Sequence, residues 1–183
     1  MSLSHFLTHD LTWHDRERWD KTLSMLEAFI AERRGSPGRT RELSEAIREG
    51  IGAIDPFIQL NTAEVCPACR QVCCINRHGY YDYEDLIYIY SLGHKAPAYK
   101  NGLHDTVPCQ FIAKTGCTIE RAIRPFRCNW YFCDALLKHM EDGPAKPYRS
   151  FVNRFHEVIE MRREMLDEFF RVVVGRPSIG PAQ

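Results

Sequence analysis

Cys66-Pro67-Ala68-Cys69-Arg70-Gln71-Val72-Cys73-Cys74 puts four thiols into one short run of the 183-residue chain. A C-x2-C pair lets two thiolates converge on one ion, because the intervening backbone folds back over it, and Cys66-Pro67-Ala68-Cys69 fits such a knuckle. Cys73 and Cys74 are neighbours in sequence. Side chains at adjacent positions of an extended backbone point apart, so one of the two faces the first ion and the other a second site or the core. Four further cysteines follow, Cys109, Cys117, Cys128 and Cys133. Eight thiols suffice for two four-sulfur sites, or for one site plus structural cysteines. Cys109, Cys117 and Cys133 also read as buried free thiols, a common fate of unpaired cysteine. Thiolate sets of this kind hold Zn2+ or an iron–sulfur cluster, and spacing does not separate the two. The order C-x2-C-x3-C is not the C-x3-C-x2-C of radical enzymes that use S-adenosylmethionine.

Eight cysteines are too few for a disulfide scaffold in a chain this long and more than a core needs. Residues 1–12 carry no long apolar run, so they do not read as a signal peptide. No stretch approaches the roughly 18–20 apolar residues that span a bilayer. The expected location is cytoplasmic, where a reducing environment turns clustered cysteines toward metal or redox chemistry rather than disulfides. Lys and Arg number 24, as do Asp and Glu, so the formal net charge is zero and gives no bulk case for nucleic acid. A metal ion or cluster is the expected partner, with no membrane and with room for a protein partner. The hydrophobic share of 44% allows a sizeable core.

Outward from the cysteines the chain reads as helical. Residues 13–34 carry Trp19, Leu23, Leu26 and Ile30 at helical spacing, with Thr12 as cap, Asp15 in the first turn and residues 35–38 as the stop. A shorter helix is expected over 41–49, ended by Gly50, and Asp55-Pro56 suggests a turn in the less regular stretch 51–65. Residues 82–91 form a helix with Asp82 as cap and Asp85 three residues on. Residues 93–108 read as loop. Residues 109–113 and 117–119 form a hairpin around Lys114-Thr115-Gly116, and 120–124 a helical turn stopped by Pro125. Residues 129–140 are expected to be one helix, 143–147 a linker, and 151–173 a long helix with Phe151, Phe155, Val158, Ile159, Arg162, Leu166, Phe169 and Val173 on one stripe. The fold class is mainly α: a small cysteine-rich metal-binding centre with a short β-hairpin, flanked by N- and C-terminal helices. One domain covers 1–175, with the cysteine core at about 63–135, helical extensions at 12–50 and 150–173, and a flexible tail at 176–183.

Charged and polar residues beside the cysteines have a natural role. A thiolate site is negative, and guanidinium groups offset that charge and donate to sulfur, which suits Arg121, Arg124 and Arg127 as well as ordinary surface or helix-end charge does. Asn129 and Trp130 are placed to cover the site. His78 lies near enough to ligate a metal, although a hydrogen-bonded histidine serves the same pattern. His94, His104 and His139 are weaker ligand candidates. Tyr80, Tyr81, Tyr83, Tyr88 and Tyr90 form an aromatic run suited to packing around the centre.

The run Cys66-x2-Cys69-x3-Cys73-Cys74, the hairpin Cys109-Gln-Phe-Ile-Ala-Lys-Thr-Gly-Cys117, and Arg124-Pro125-Phe126-Arg127-Cys128 followed by Cys133 together resemble the CxxCxxCC-type zinc- or iron-chelating cysteine-cluster family (YkgJ-like). The resemblance covers residues 63–135. It implies a metal-binding domain in bacterial cytosolic proteins. Some relatives with additional sequence are flagellin lysine N-methylases, in which an iron–sulfur cluster is the implied group. The chain is short and lacks a G-x-G-x-G loop after a strand, so the resemblance does not carry the methylase activity over. A metal-dependent modifying or redox enzyme, and an adaptor working through its terminal helices, stand as alternatives to a metal-binding role. No nucleophile triad, H-E-x-x-H run or phosphate loop is present to specify an enzyme.

Overall fold

The computed structural model describes residues 15–32, 38–70, 72–100 and 102–174. These are mainly helical, with six α-helices and one two-stranded antiparallel hairpin. Helix α1 is Arg16–Glu32. Asp15 opens it: its side chain accepts from the Arg18 amide (3.0 Å) and its carbonyl from the Trp19 amide (2.9 Å). Trp19, Thr22 and Leu26 form the buried face. The expected cap Thr12, the glycine-proline stop at 35–37 and the tail at 176–183 lie outside the described residues.

Helix α2 is Arg39–Val65, a single helix where a short helix and a turn were expected. It runs through both Gly50 and Pro56. The reason is visible in its buried stripe, Leu43, Ile47, Ile51, Ile54 and Ile58, which continues at helical spacing across both breakers. Burying that stripe outweighs the roughly 1 kcal/mol cost of an interior glycine and the roughly 3 kcal/mol of an interior proline. Gly50 serves close packing instead of a helix end. A Cβ at this position would stand 2.6 Å from Val158 Cγ2.

Val158 belongs to the last helix, α6, Ala145–Val174. The expected linker at 143–147 shrinks to Gly143 and Pro144. Pro147 falls in the first helical turn, where a missing N–H costs little. Phe151, Val158, Arg162, Met165 and Phe169 are buried on one seam. Ile159, expected on that stripe, is instead exposed at 38%. Helices α2 and α6 lie antiparallel: Arg39 meets Glu164 (2.7 Å), Ser44 meets Met165 (3.1 Å), Gly50 meets Val158, and Phe57 stacks on Phe151 (4.8 Å between centroids). This pair is the most extensive helix contact among the described residues. The last helix therefore packs chiefly on α2, and it also meets residues of the cysteine-bearing stretch 63–135, where Phe155 stacks on Phe126 (6.3 Å) and Phe151 meets Phe132 (5.9 Å).

Helix α3, Tyr83–Ser91, sits in contact with α1, α2 and α6. Leu86, Ile87, Tyr88, Ile89 and Tyr90 are all buried, so from Leu86 to Tyr90 it is enclosed on every side, as a central helix is. The expected cap is present as a reciprocal box between Asp82 and Asp85. Strands β1 (Ile112–Ala113) and β2 (Gly116–Cys117) form the hairpin, with Ile112 opposite Cys117 and Gly116 at φ 112° taking the conformation closed to other residues. The stretch expected as one helix over 129–140 is two: α4, Arg127–Trp130, and α5, Asp134–Asp142. Cys133 interrupts them as the N-terminal flank of α5, its carbonyl accepting from the Leu136 and Leu137 amides (both 2.9 Å).

The two glycines of α2 separate packing from propensity. Gly52 has nothing within 4 Å of an added Cβ. Gly52→Ala is therefore expected to stabilise by about 0.5–1 kcal/mol, and Gly50→Ala to destabilise by about 1–2 kcal/mol once overpacking is set against helix propensity. Urea unfolding of both variants checks the opposite signs.

Candidate metal centre

The C-terminus of α2 turns directly into the knuckle. Residues Cys66–Ala68 form a 3-10 turn with Pro67 in its first positions, and the Cys69 amide donates to the Cys66 carbonyl (3.1 Å). The Cys73 carbonyl accepts from the Ile75 amide (2.9 Å), closing a tight three-residue turn about Cys74, and lies 2.9 Å from His78 Nδ1. Distant sequence is then zipped onto this run. The Cys109 amide donates to the Cys74 carbonyl (2.8 Å), Asn76 to Val107 (2.8 Å) and Arg77 to Asp105 (3.0 Å). The hairpin hangs from Cys109, whose carbonyl accepts from the Ile112 amide (2.9 Å), so Cys117, opposite Ile112, returns toward it. Cys128, on α4, donates from Sγ to the His78 carbonyl (3.8 Å). Cys133 starts α5, which is tied to the last turn of α2 by His139 Nε2 and Glu64 Oε2 (3.2 Å).

All eight cysteines are free, and their charges fall into neighbourhoods. Burial, then Cys73, Cys133 and Cys69, push the Cys66 thiol up. A hydrogen bond to Cys74 raises Cys73 and lowers Cys74, so the first thiolate of that pair forms at Cys74. Burial and Cys117 raise Cys109. Burial, then Cys117 and Cys109, push Cys128 up to about 12, with Arg124 pulling the other way. Among the described residues, no group of three or more His, Cys, Asp or Glu side chains stands in metal-holding geometry. The thiols are near enough to act on one another electrostatically.

The neighbouring residues divide. Arg124 donates to the Ile119 carbonyl (2.8 Å) and bears electrostatically on Cys128. Arg127 lies over the Trp130 ring (5.8 Å), which is itself 45% exposed, so these two cover little. Arg121 is buried, pairs with Asp55 and reaches the Cys128 carbonyl (3.4 Å). The Asp55 expected in a turn is thus an acceptor on a continuous helix. His78 uses both ring nitrogens, toward the Cys73 carbonyl and toward Arg77 Nε (3.3 Å), and packs on Tyr131. Asn129 is 0% exposed, and neither its amide nitrogen nor its amide oxygen has a hydrogen-bond partner among the described residues. Of the tyrosines, Tyr81 is buried and donates to the Ile123 carbonyl (2.7 Å), while Tyr99 accepts from the Tyr81 amide and donates to the Gly79 carbonyl (3.1 Å). They hold the loop at 79–81 against the body.

One contributor was hidden in the sequence. Asp85 is more than a cap residue: it is buried, and its Oδ1 accepts from Arg162 of α6 (3.1 Å) and from the Phe126 amide (3.0 Å). Arg162 also lies over the Phe126 ring (4.5 Å). Phe126 leads into the turn that carries Cys128, so this buried pair places Cys128. The signal available was an arginine on an otherwise apolar stripe.

Comparison with family models, with curated proteins and with solved structures gave no match.

Two outcomes test this geometry. Asp85→Ala removes the buried acceptor of Arg162 and of the Phe126 amide, leaving Arg162 the partly exposed Glu84 (3.2 Å) and Asp82 (3.7 Å), and is expected to cost about 1–3 kcal/mol by urea unfolding. The double variant Asp85→Leu/Arg162→Met is expected to cost clearly less than the two single changes summed. In metal-free, reduced protein near neutral pH, Cys74 is expected to alkylate well before Cys128, since the first is lowered and the second raised. Peptide mapping after a short iodoacetamide pulse checks the order.

Proposed function

We propose that this chain is a metal-binding protein that holds zinc or an iron–sulfur cluster through cysteine thiolates. One observation carries the reading: Cys109 and Cys128 are bonded to the segment 66–79, Cys117 returns on the hairpin that Cys109 anchors, Cys133 is near enough to act on Cys66, and all eight cysteines are free thiols. A core that merely stores buried cysteines has no reason to gather them from separate segments around one turn-rich strip.

The donor chemistry fits the group. Soft thiolates select zinc and iron–sulfur clusters over hard cations. Gly79 leaves space at the strip, since a Cβ there would stand 2.7 Å from Cys109 Sγ. Burial, and then mutual repulsion, push several of these thiols up when they face only one another, and a cation removes that penalty. The positive charge of Arg124 offsets part of the negative charge that remains. Bound zinc supplies a cross-link between segments; an iron–sulfur cluster supplies an electron-carrying centre as well.

Anaerobically purified protein is expected to contain zinc, or iron with acid-labile sulfide, in stoichiometric amount by elemental analysis. A brown colour with broad visible absorption selects the cluster over zinc. Protein with neither metal, still unable to take up Zn2+ or an iron–sulfur cluster after reduction, overturns the proposal.

A further inference from the structure

We infer that the eight thiols form two separate four-sulfur sites, Cys66, Cys69, Cys73 and Cys133 in one and Cys74, Cys109, Cys117 and Cys128 in the other, each fit for one thiophilic cation of the Zn2+ class. This rests on the metal-binding reading above and adds to it the ligand sets and the stoichiometry.

The division follows from what the backbone holds together. The first set belongs to the α2 end. Cys66 and Cys69 share the 3-10 turn that terminates α2. Cys133 flanks α5, and α5 packs against α2, with His139 bonded to Glu64 just before the knuckle. Cys73 is the next thiol along the chain. The second set belongs to the zipped strip. Cys74 and Cys109 are joined by a backbone hydrogen bond, Cys109 Sγ lies against Gly79, and Cys117 returns on the hairpin that Cys109 anchors. Cys128 Sγ reaches the His78 carbonyl, one residue before Gly79. The thiols' electrostatic neighbours follow the same grouping at Cys66, which is affected by Cys69, Cys73 and Cys133, and at Cys128, affected by Cys109 and Cys117, and they cross at Cys74, which is affected by Cys66 as well as by Cys128 and Cys109. Cys73 and Cys74 form the seam, where the two sets touch.

Four thiolates complete a closed tetrahedral site, so each set is sufficient by itself and neither needs a histidine. That agrees with His78, whose ring nitrogens are both engaged elsewhere. Loading one site is an exchange of cation for protons: Zn2+ binds four thiols, up to four protons leave to solvent, and the site carries two negative charges. No sulfur is oxidised. The sulfurs must close from neighbour distance to about 2.3 Å from the ion.

The test loads reduced, metal-free full-length chain with Zn2+ anaerobically and counts bound zinc by native mass spectrometry. Wild type is expected to hold two zinc ions, and Cys133→Ser and Cys117→Ser one each. A stepwise EDTA strip of the wild type, with thiols alkylated at each step and mapped, is independent of whether the variants fold. It is expected to release one set of four thiols before the other. One zinc in wild type, or eight thiols released together, overturns the two-site division while leaving metal binding intact. Release in sets that mix the two groups also overturns it. No zinc and no iron–sulfur uptake in wild type overturns the metal-binding reading itself.

Discussion

The buried carboxylate of Asp85 joins the helical body to the cysteine-bearing region, and the rest of the arrangement depends on it. Taking a carboxylate out of water costs several kcal/mol, and it persists only where donors replace the lost hydration. Here they come from three directions. The capping box with Asp82 fixes the start of α3, Arg162 reaches in from α6, and the Phe126 amide arrives from the turn that leads to Cys128. Because α6 is itself locked antiparallel to α2 at Gly50 and Val158, the register of the long helices is passed on to the position of a cysteine far away in sequence. The Arg121 and Asp55 pair repeats the device on a smaller scale, linking the middle of α2 to the segment just before Cys128.

Much of this was legible in the chain. The helical class, the Asp82–Asp85 cap, the hairpin between Cys109 and Cys117 and the helical turn before Pro125 follow from local rules, and the structure has them. The failures share a cause, which is that local signals lose to burial between distant segments. Gly50 and Pro56 are strong stop signals in isolation, yet α2 ignores both because its isoleucine stripe faces α6 without interruption. The reverse happened at residues 129–140. The composition there suits a helix, but Cys133 leaves helical geometry to cap α5, and the helix breaks in two. Arg162 was placed on the apolar stripe correctly, but its partner lies on another helix, and no local pattern names a partner.

The candidate site was legible as a set of residue types and not as a geometry. Spacing pointed to the knuckle, and the backbone there forms a 3-10 turn over Cys66–Ala68 with the Cys69 amide bonded back to the Cys66 carbonyl. The pairing of 74–77 with 105–109 is a backbone event between segments without a strong strand pattern, so nothing in the sequence announced that Cys109 sits on Cys74. Asn129 is instructive for a different reason. An amide that is fully buried with both polar atoms unpaired is unusual, because leaving such groups unmatched costs on the order of 1–3 kcal/mol each.

Metal ligands and folding are coupled, since the thiolates of a closed site come together only when the chain brings them together. The central claim is therefore one about the atoms bonded to the metal, and X-ray absorption at the metal edge of the purified, reduced protein reads them directly. A first shell made only of sulfur, about four per metal at about 2.3 Å, is the expected result. A shell dominated by nitrogen and oxygen at about 2.0–2.2 Å would contradict it, because it would place the metal on His or carboxylate ligands and leave the gathered cysteines without the role assigned to them.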